Sequence, residues 1–94
     1  MNRQEAENII AEQLKPYREK PYAELIKMIK QKPSTYELKG QLGALYQIEI
    51  QAFWDDRPDG NIRIMGSIDD GGLRAFSPIS DDFIKSPTGV FVDE

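Results

Sequence analysis

The spacing of apolar residues predicts an amphipathic helix at the start of the chain. Five apolar residues recur there at three- and four-residue intervals: Ala6, Ile9, Ile10, Leu14 and Tyr17. This period matches one buried stripe of an α-helix, which we expect over about residues 2–18. Pro16 lacks a backbone donor and biases Lys15 away from helical geometry, so the helix should end or bend there unless another element supports it.

The same period continues into a second predicted helix, over about residues 21–32. Pro21 stands at a favoured first-turn position, and Pro33 stops the pattern. Between them, four apolar residues follow the spacing of one helix face: Tyr22, Leu25, Ile26 and Ile29. Beyond Pro33 the period changes from about 3.6 to 2, which places the boundary between helices and sheet there.

Alternation of apolar and polar residues predicts a sheet over about residues 34–92. Ser34–Lys39 is expected to form a first strand, and Gly40–Gly43 a hairpin connection. Two longer strands follow, Tyr46–Trp54 and Ile62–Ile68, and both carry their apolar residues mainly at even numbers. The even-numbered faces of these strands should therefore meet the helices.

This alternation also limits the register between the two long strands. Directly opposed residues of an antiparallel pair share a face, so their numbers must sum to an even value. Ile50 opposite Ile64 or opposite Gly66 satisfies this condition. An odd sum would bury Arg63 or Glu49, which the register should avoid.

Turn-forming residues predict the rest of the sheet. Asp69–Gly72 has the composition of a tight turn, and Leu73–Ser77 is expected to form a fourth strand. Ser80 or Asp81 should then cap a single helical turn.

The tail is expected to add a turn and a short extended segment. Pro87–Gly89 predicts the turn, and Val90–Val92 predicts an extended piece that covers a sheet edge. The whole pattern predicts one α+β domain, residues 1–94, with two N-terminal helices packed on a four-stranded antiparallel β-meander and a short C-terminal turn or strand.

The composition excludes several kinds of chemistry. The 94 residues include no histidine and no cysteine, so neither a Ser-His-Asp nor a Cys-His catalytic site can form, and the usual ligands of structural zinc are missing. No Gly-rich phosphate loop is present, and we expect no cofactor. No apolar run reaches the ~20 residues of a membrane span, and the N-terminus lacks a secretory pattern, so we expect a cytoplasmic protein without a membrane partner.

Charge is distributed unevenly along the chain. Residues 1–54 carry a net charge of +1 and residues 55–94 a net charge of −5, and every aspartate follows Trp54. Aspartate favours turns and glutamate favours helices, so the asymmetry has a structural explanation. A net negative chain without a dense basic stripe argues against nucleic acid as a partner.

Two regions of the sequence resemble a small bacterial domain family of unknown function. One is the run from Tyr46 to Glu94, with IEIQAFWDD, IRIMGSIDDGG and FSPISDDFIKSPTGVFVDE, and the other is PYAELIKMI in the second predicted helix. Together they cover most of the chain. The resemblance implies an α+β domain and a bacterial source, and it implies no activity, ligand or catalytic residue.

The aspartates form one candidate site. Residues 55–66 superficially resemble a calcium-binding EF-hand loop, but the pattern fails at Arg57 and at Gly66, where the twelfth-position glutamate belongs. The predicted return of the fourth strand could still bring together five carboxylates that suit Mg²⁺ or Ca²⁺: Asp55, Asp56, Asp59, Asp81 and Asp82. The alternative, which we favour, is that these residues cap and form turns while Arg57 and Lys85 neutralise part of their charge.

A second candidate is the sheet face opposite the helices. This outer face should carry aromatic, methionine and arginine side chains, a composition typical of protein interfaces: Phe53, Arg63, Met65, Arg74 and Phe76. Alternatively, five apolar residues of the tail fold back across this face and bury it: Phe83, Ile84, Val90, Phe91 and Val92.

The sequence therefore supports more than one functional hypothesis. The leading one is a non-catalytic protein-interaction module or small homodimeric adaptor, which works through the outer face or an exposed edge strand. The alternative is a metal-binding domain or hydrolase that uses the aspartate cluster. A third hypothesis is a small-ligand pocket near Trp54 and Tyr46.

Overall fold

The computed structural model of this chain describes residues 2–71 and 78–94 and has the predicted α+β architecture. The helical part consists of α1 (Arg3–Arg18), α2 (Tyr22–Lys27) and a single 3₁₀ turn (Met28–Lys30). Four antiparallel strands follow in chain order: β1 (Ser34–Lys39), β2 (Leu45–Trp54), β3 (Ile62–Asp69) and β4 (Ile79–Lys85). They form one sheet in the order β1-β2-β3-β4, which confirms the meander.

Helix α1 begins at a capped residue and continues past its proline. The Asn2 side chain accepts a hydrogen bond of 2.9 Å from the Glu5 backbone N–H, which satisfies one of the free donors of the first turn. Pro16 does not end the helix, which runs to Arg18. Leu14 is buried and Tyr17 packs against the core on either side of Pro16, so tertiary contacts hold this turn in place.

The register between β2 and β3 obeys the predicted parity. Ile50 lies opposite Gly66, and every directly opposed pair of these strands has an even sum. The even-numbered isoleucines of both strands are buried beneath the helices. Helix α1 packs mainly on β3 and β4, while the 3₁₀ turn packs on β2.

The end of the chain differs in part from the prediction. Residues 78–85 contain β4 rather than a helical turn capped by Ser80 or Asp81, so that prediction is wrong. Pairing with β3 outweighs the turn preference of the polar residues, because Ile79 and Phe83 are buried on the helix side. The strand predicted at Leu73–Ser77 lies outside the described residues.

The C-terminal segment covers part of the β4 edge, as the sequence indicates. After the turn at residues 87–89, Phe91 forms an isolated antiparallel bridge with Lys85. The Val92 N–H donates a 2.9 Å hydrogen bond to the Ile84 carbonyl. An edge-strand hydrogen-bonding group is thereby satisfied within the chain. Within residues 2–71 and 78–94, no helix has the length and hydrophobicity needed to cross a membrane.

One buried hydrogen bond makes the stability of the fold sensitive to alkaline pH. Tyr46 is fully buried and donates a 2.7 Å hydrogen bond to Glu5 Oε1. Burial, reinforced by this carboxylate, raises the pKa of Tyr46 to about 12 from its ordinary value of about 10. A raised pKa in the folded state means that the stabilisation is complete below pH ~10 and is lost between pH ~10 and ~12.

We therefore expect the Tyr46→Phe variant to be less stable than the unchanged protein at pH 8, by roughly 1 kcal/mol, because Glu5 loses its donor. The difference should shrink as the pH rises through 10–12, where Tyr46 must ionise on unfolding. Urea denaturation at pH 8, 10 and 11.5 measures it. A difference that stays constant across this range would contradict the assignment.

Candidate functional site

The structure separates the five aspartates proposed as metal ligands. Asp55 and Asp82 both bind the Arg63 guanidinium, which lies between their carboxylates. Arg63 Nη2 lies 2.7 Å from Asp55 Oδ1, and Arg63 Nη1 pairs with Asp82. This ion-pair cluster raises the pKa of Arg63, chiefly through the hydrogen bond to Asp55. Asp81 neighbours Asp82 on β4 and therefore points to the opposite face of the sheet.

The remaining two aspartates have roles in the β2–β3 turn. The Asp56 carboxylate accepts hydrogen bonds from the backbone N–H groups of Arg57 (2.8 Å) and Asn61 (2.9 Å), and these bonds lower the pKa of Asp56. Asp59 has a φ of 66°, which aspartate tolerates better than most residues. Residues 2–71 and 78–94 contain no group of three acidic side chains that could hold a metal ion.

The neutralising residue also differs from the expectation. Arg63, rather than Arg57 or Lys85, pairs with the carboxylates. The Lys85 amine instead donates to the backbone carbonyls of Arg18, the last residue of α1, and of Lys20, two residues beyond it. The alternation of side chains between the two faces of the sheet explains this outcome. Arg63 and Asp82 lie on the outer face, whereas Lys85 faces the helices.

The outer face carries only part of the predicted apolar patch among the described residues. Phe53 is 36% exposed and Met65 is half-buried. Arg63 shares this face but is held by two carboxylates. Arg74 and Phe76 lie outside the described residues.

The tail does not cover the outer face with its aromatic residues. Phe83 is buried on the helix side, and the Phe91 ring packs edge-on against it at a centroid distance of 5.8 Å. The Arg18 guanidinium lies 5.0 Å from the Phe83 ring centroid and 5.3 Å from that of Phe91. Both rings are thus held at the end of α1, which corrects the alternative that placed them across the outer face.

Strand β1 has an open backbone edge. The Gly40 N–H donates a 2.8 Å hydrogen bond to the Ala44 carbonyl, which makes these residues a hydrogen-bonded pair of the β1–β2 hairpin. Such pairs occur at every second residue, so the even-numbered residues of β1 bond to β2. The backbone groups of Thr35, Glu37 and Lys39 therefore point away from β2, and no described segment pairs with them.

A groove of about 600 Å³ runs beside this edge, between α1 and the β1–β2 hairpin. Its apolar side chains are Ile9 from the helix and Leu38 and Leu42 from the hairpin. Leu42 is 73% exposed, although leucine ordinarily gains free energy from burial. Asn8 and Gln13 add amide groups along the helix wall.

The sequence pattern did not reveal this groove. The sequence predicts only a hairpin connection at Gly40–Gly43 and indicates no role for its leucine. The available signal is a leucine within a turn, Leu42, which is exposed in the structure and lines the groove. The facing Ile9 belongs to the helical stripe and is only partly covered by the sheet.

Comparison with known proteins gives no assignment: no family model matches the chain, and no curated protein or solved structure is similar to it. The resemblance to a bacterial domain family stays a prediction. The functional proposal therefore rests on the geometry of the molecule itself, in particular on the open β1 edge and the adjacent groove.

Proposed function

We propose that the protein is a non-catalytic interaction module, a small adaptor or a homodimer, that binds another chain along the open edge of β1. The observation that carries the proposal is the combination of backbone groups with which no described segment pairs and a partly apolar groove on the helix side of the same strand. An added strand would gain main-chain hydrogen bonds from the edge, and its alternate side chains would enter the groove.

The distribution of exposed apolar side chains supports this choice of surface. Among the described residues, three of the six exposed large hydrophobic residues lie within ten positions of each other on the β1–β2 hairpin: Tyr36, Leu42 and Leu45. Leu45 lies on the outer face, because it is directly opposed to Lys39, so the apolar surface beside the groove consists of Leu42 with the less exposed Ile9 and Leu38. Exposed apolar surface of this kind is typical of interaction sites. The outer face is the weaker candidate, because its Arg63 is already engaged by Asp55 and Asp82 and is less available to a partner.

The cellular part of the proposal is a cytoplasmic location. The cysteine-free composition is compatible with a reducing compartment, where proteins do not depend on disulfides. A bacterial source, which the family resemblance implies, belongs to the same proposal.

A proline at position 37 tests the role of the edge. The Glu37 N–H points away from β2, so Glu37→Pro removes a donor for an incoming strand and leaves the β1–β2 ladder intact. The matched control is Glu37→Thr, which removes the same carboxylate and keeps the N–H. We expect both variants to fold, with circular dichroism spectra like that of the unchanged protein.

The readout combines affinity capture from an extract of the native cells with sedimentation velocity of the purified protein. Partner or self-association should persist in Glu37→Thr and fall at least ten-fold in Glu37→Pro, because the edge loses the Glu37 N–H donor and the proline ring hinders the approach of a strand at its centre. Equal association by the two variants would show that the edge is not used. A monomer that captures no protein would contradict the proposed function.

A further inference from the structure

We infer that the partner of the β1 edge is an extended peptide segment with acidic residues at both ends and apolar side chains at alternate positions between them. This inference rests on the proposed function and specifies the chemistry of its partner. Three features favour such a partner: the free charges around the strand, the length of the edge, and the unfavourable contacts that a second copy of this chain would make.

The charges at the two ends of β1 are positive and available. Lys30 and Lys32 precede the strand, Lys39 ends it, and none of the three has an ion-pair partner among the described residues. Of the nearby carboxylates, Glu12 is paired with Lys15, whereas Glu5 and Glu37 accept hydrogen bonds from the neutral side chains of Tyr46 and Gln47 and keep their negative charge. The lysines therefore favour carboxylates at the two ends of a partner strand, while the Glu37 carboxylate in the middle of β1 disfavours an acidic residue opposite it.

The geometry of the strand sets the spacing of the partner's side chains. Lys32 and Lys39 are seven residues apart, which corresponds to about 23 Å in an extended chain. A partner of about eight residues can thus place one carboxylate near each lysine. Directly opposed residues share a face, so the partner residues opposite Tyr36 and Leu38 lie on the groove side. Apolar side chains at those two positions would reach Ile9 and Leu42.

A second copy of the chain fits this edge less well. Strand β1 can pair in antiparallel fashion with β1 of a second copy in two registers. Each register pairs five residues of the two strands and keeps the helices of both copies on the same side of the joined sheet. The register centred on Tyr36 places each Lys39 opposite Pro33 of the copy, beside Lys32, and Pro33 offers no N–H. The register centred on Glu37 places the two Glu37 carboxylates directly opposite each other. Directly opposed like charges destabilise a strand pair, so both registers are unfavourable for a second copy.

The free lysines have one other physical role that the experiment must separate from recognition. Lysine at an edge strand discourages unspecific strand pairing, whatever the partner. That role predicts weak binding of every extended peptide. Recognition predicts that affinity depends on the sign of the peptide's charge. It also predicts that the preference between the two signs reverses when the lysines are replaced by acidic residues.

Fluorescence anisotropy with two labelled ten-residue peptides makes this distinction. Both peptides alternate valine and threonine, and they end in glutamates or in lysines. At low ionic strength, the glutamate-ended peptide should bind roughly ten-fold more tightly or better, because two attractive charge pairs replace two repulsive ones. In the double variant Lys32→Glu, Lys39→Glu, the preference should invert. Equal affinities, or tighter binding of the lysine-ended peptide to the unchanged protein, would overturn the inference.

A second pair of variants tests the groove. Leu42→Ser should weaken binding of the glutamate-ended peptide several-fold, because Leu42 loses apolar contact with the partner. Val90→Ser is the matched control, since Val90 is also an exposed aliphatic residue, 61% exposed, and lies beyond the opposite edge of the sheet. It should bind like the unchanged protein. Equal loss in both variants would contradict a role for the groove.

The outcomes separate the inference from the proposed function. If captured partners depend on the β1 edge but the charge of the peptide has no effect, the function stands and the acidic partner is wrong. A concentration-dependent dimer that disappears in Glu37→Pro would assign the edge to a second copy and also overturn the inference. If neither peptide binds and no association depends on the edge, both proposals fail.

Discussion

The Gly66→Val variant should lose about 2 kcal/mol of its free energy of unfolding. A Cβ atom at this position would lie 2.8 Å from Ile10 Cδ1, 3.1 Å from Ile10 Cγ1 and 3.3 Å from Leu14 Cδ2. Ile10 and Leu14 are both about 1% exposed, so the core offers them little room to move away. Valine favours strands more than glycine does, but the gain of roughly 1 kcal/mol is smaller than the cost of overpacking.

The neighbouring position provides the control for this prediction. Ser67 lies on the outer face of the same strand, so Ser67→Val adds bulk and strand propensity without touching α1. Its free energy of unfolding should change by less than about 0.5 kcal/mol. Urea denaturation followed by circular dichroism compares the two variants. Equal stability of Gly66→Val and Ser67→Val would show that α1 does not pack as closely on β3 as the structure indicates.

The Lys85→Met variant should be less stable by about 2 kcal/mol. The buried Lys85 amine donates hydrogen bonds of 2.7 Å to the Arg18 carbonyl and 2.8 Å to the Lys20 carbonyl. Arg18 is the last residue of α1 and Lys20 follows its C-cap, so the amine lies at the helix end, where carbonyls lack intrahelical donors and the helix dipole favours a positive charge. Methionine keeps most of the apolar stem but leaves both carbonyls without this donor. The amine also lies 4.8 Å from the centroid of the Phe91 ring.

The control for Lys85 is a lysine without a buried role. Lys30 is exposed at the end of the 3₁₀ turn, so Lys30→Met should change the free energy of unfolding by no more than about 0.5 kcal/mol. Thermal denaturation at neutral pH checks both variants. A more stable Lys85→Met protein would mean that the cost of burying the amine exceeds the value of its two hydrogen bonds.

The paired strands at the centre of the sheet were predictable in some detail. Their even-numbered residues are apolar, and burying that face permits only even sums between opposed residues. The observed pairing of Ile50 with Gly66 is one of the two registers predicted from the even-sum rule. The helices were predictable for the same kind of reason, because the stripe of apolar residues in each helix must meet that face.

The last strand could not be predicted from the pattern of its own residues. Asp81 and Asp82 have a low preference for strands, and a local pattern gives them the character of a turn. Only β3 can supply the backbone hydrogen bonds that turn this segment into β4. The sequence indicated that Asp82 could approach Asp55, but the placement of Arg63 between them follows from the pairing of β3 with β4 and was not predicted.

The sequence by itself determined the class of fold, the buried faces and the register of the central strands, because these depend on the period of side chains within each element. Tertiary structure alone decided which backbone edge stays open and where the groove lies. Helix α1 packs over β3 and β4, and this arrangement leaves Ile9 to face Leu42 across a gap beside β1. Residues 33 positions apart in sequence become neighbours only through packing, which no local pattern records.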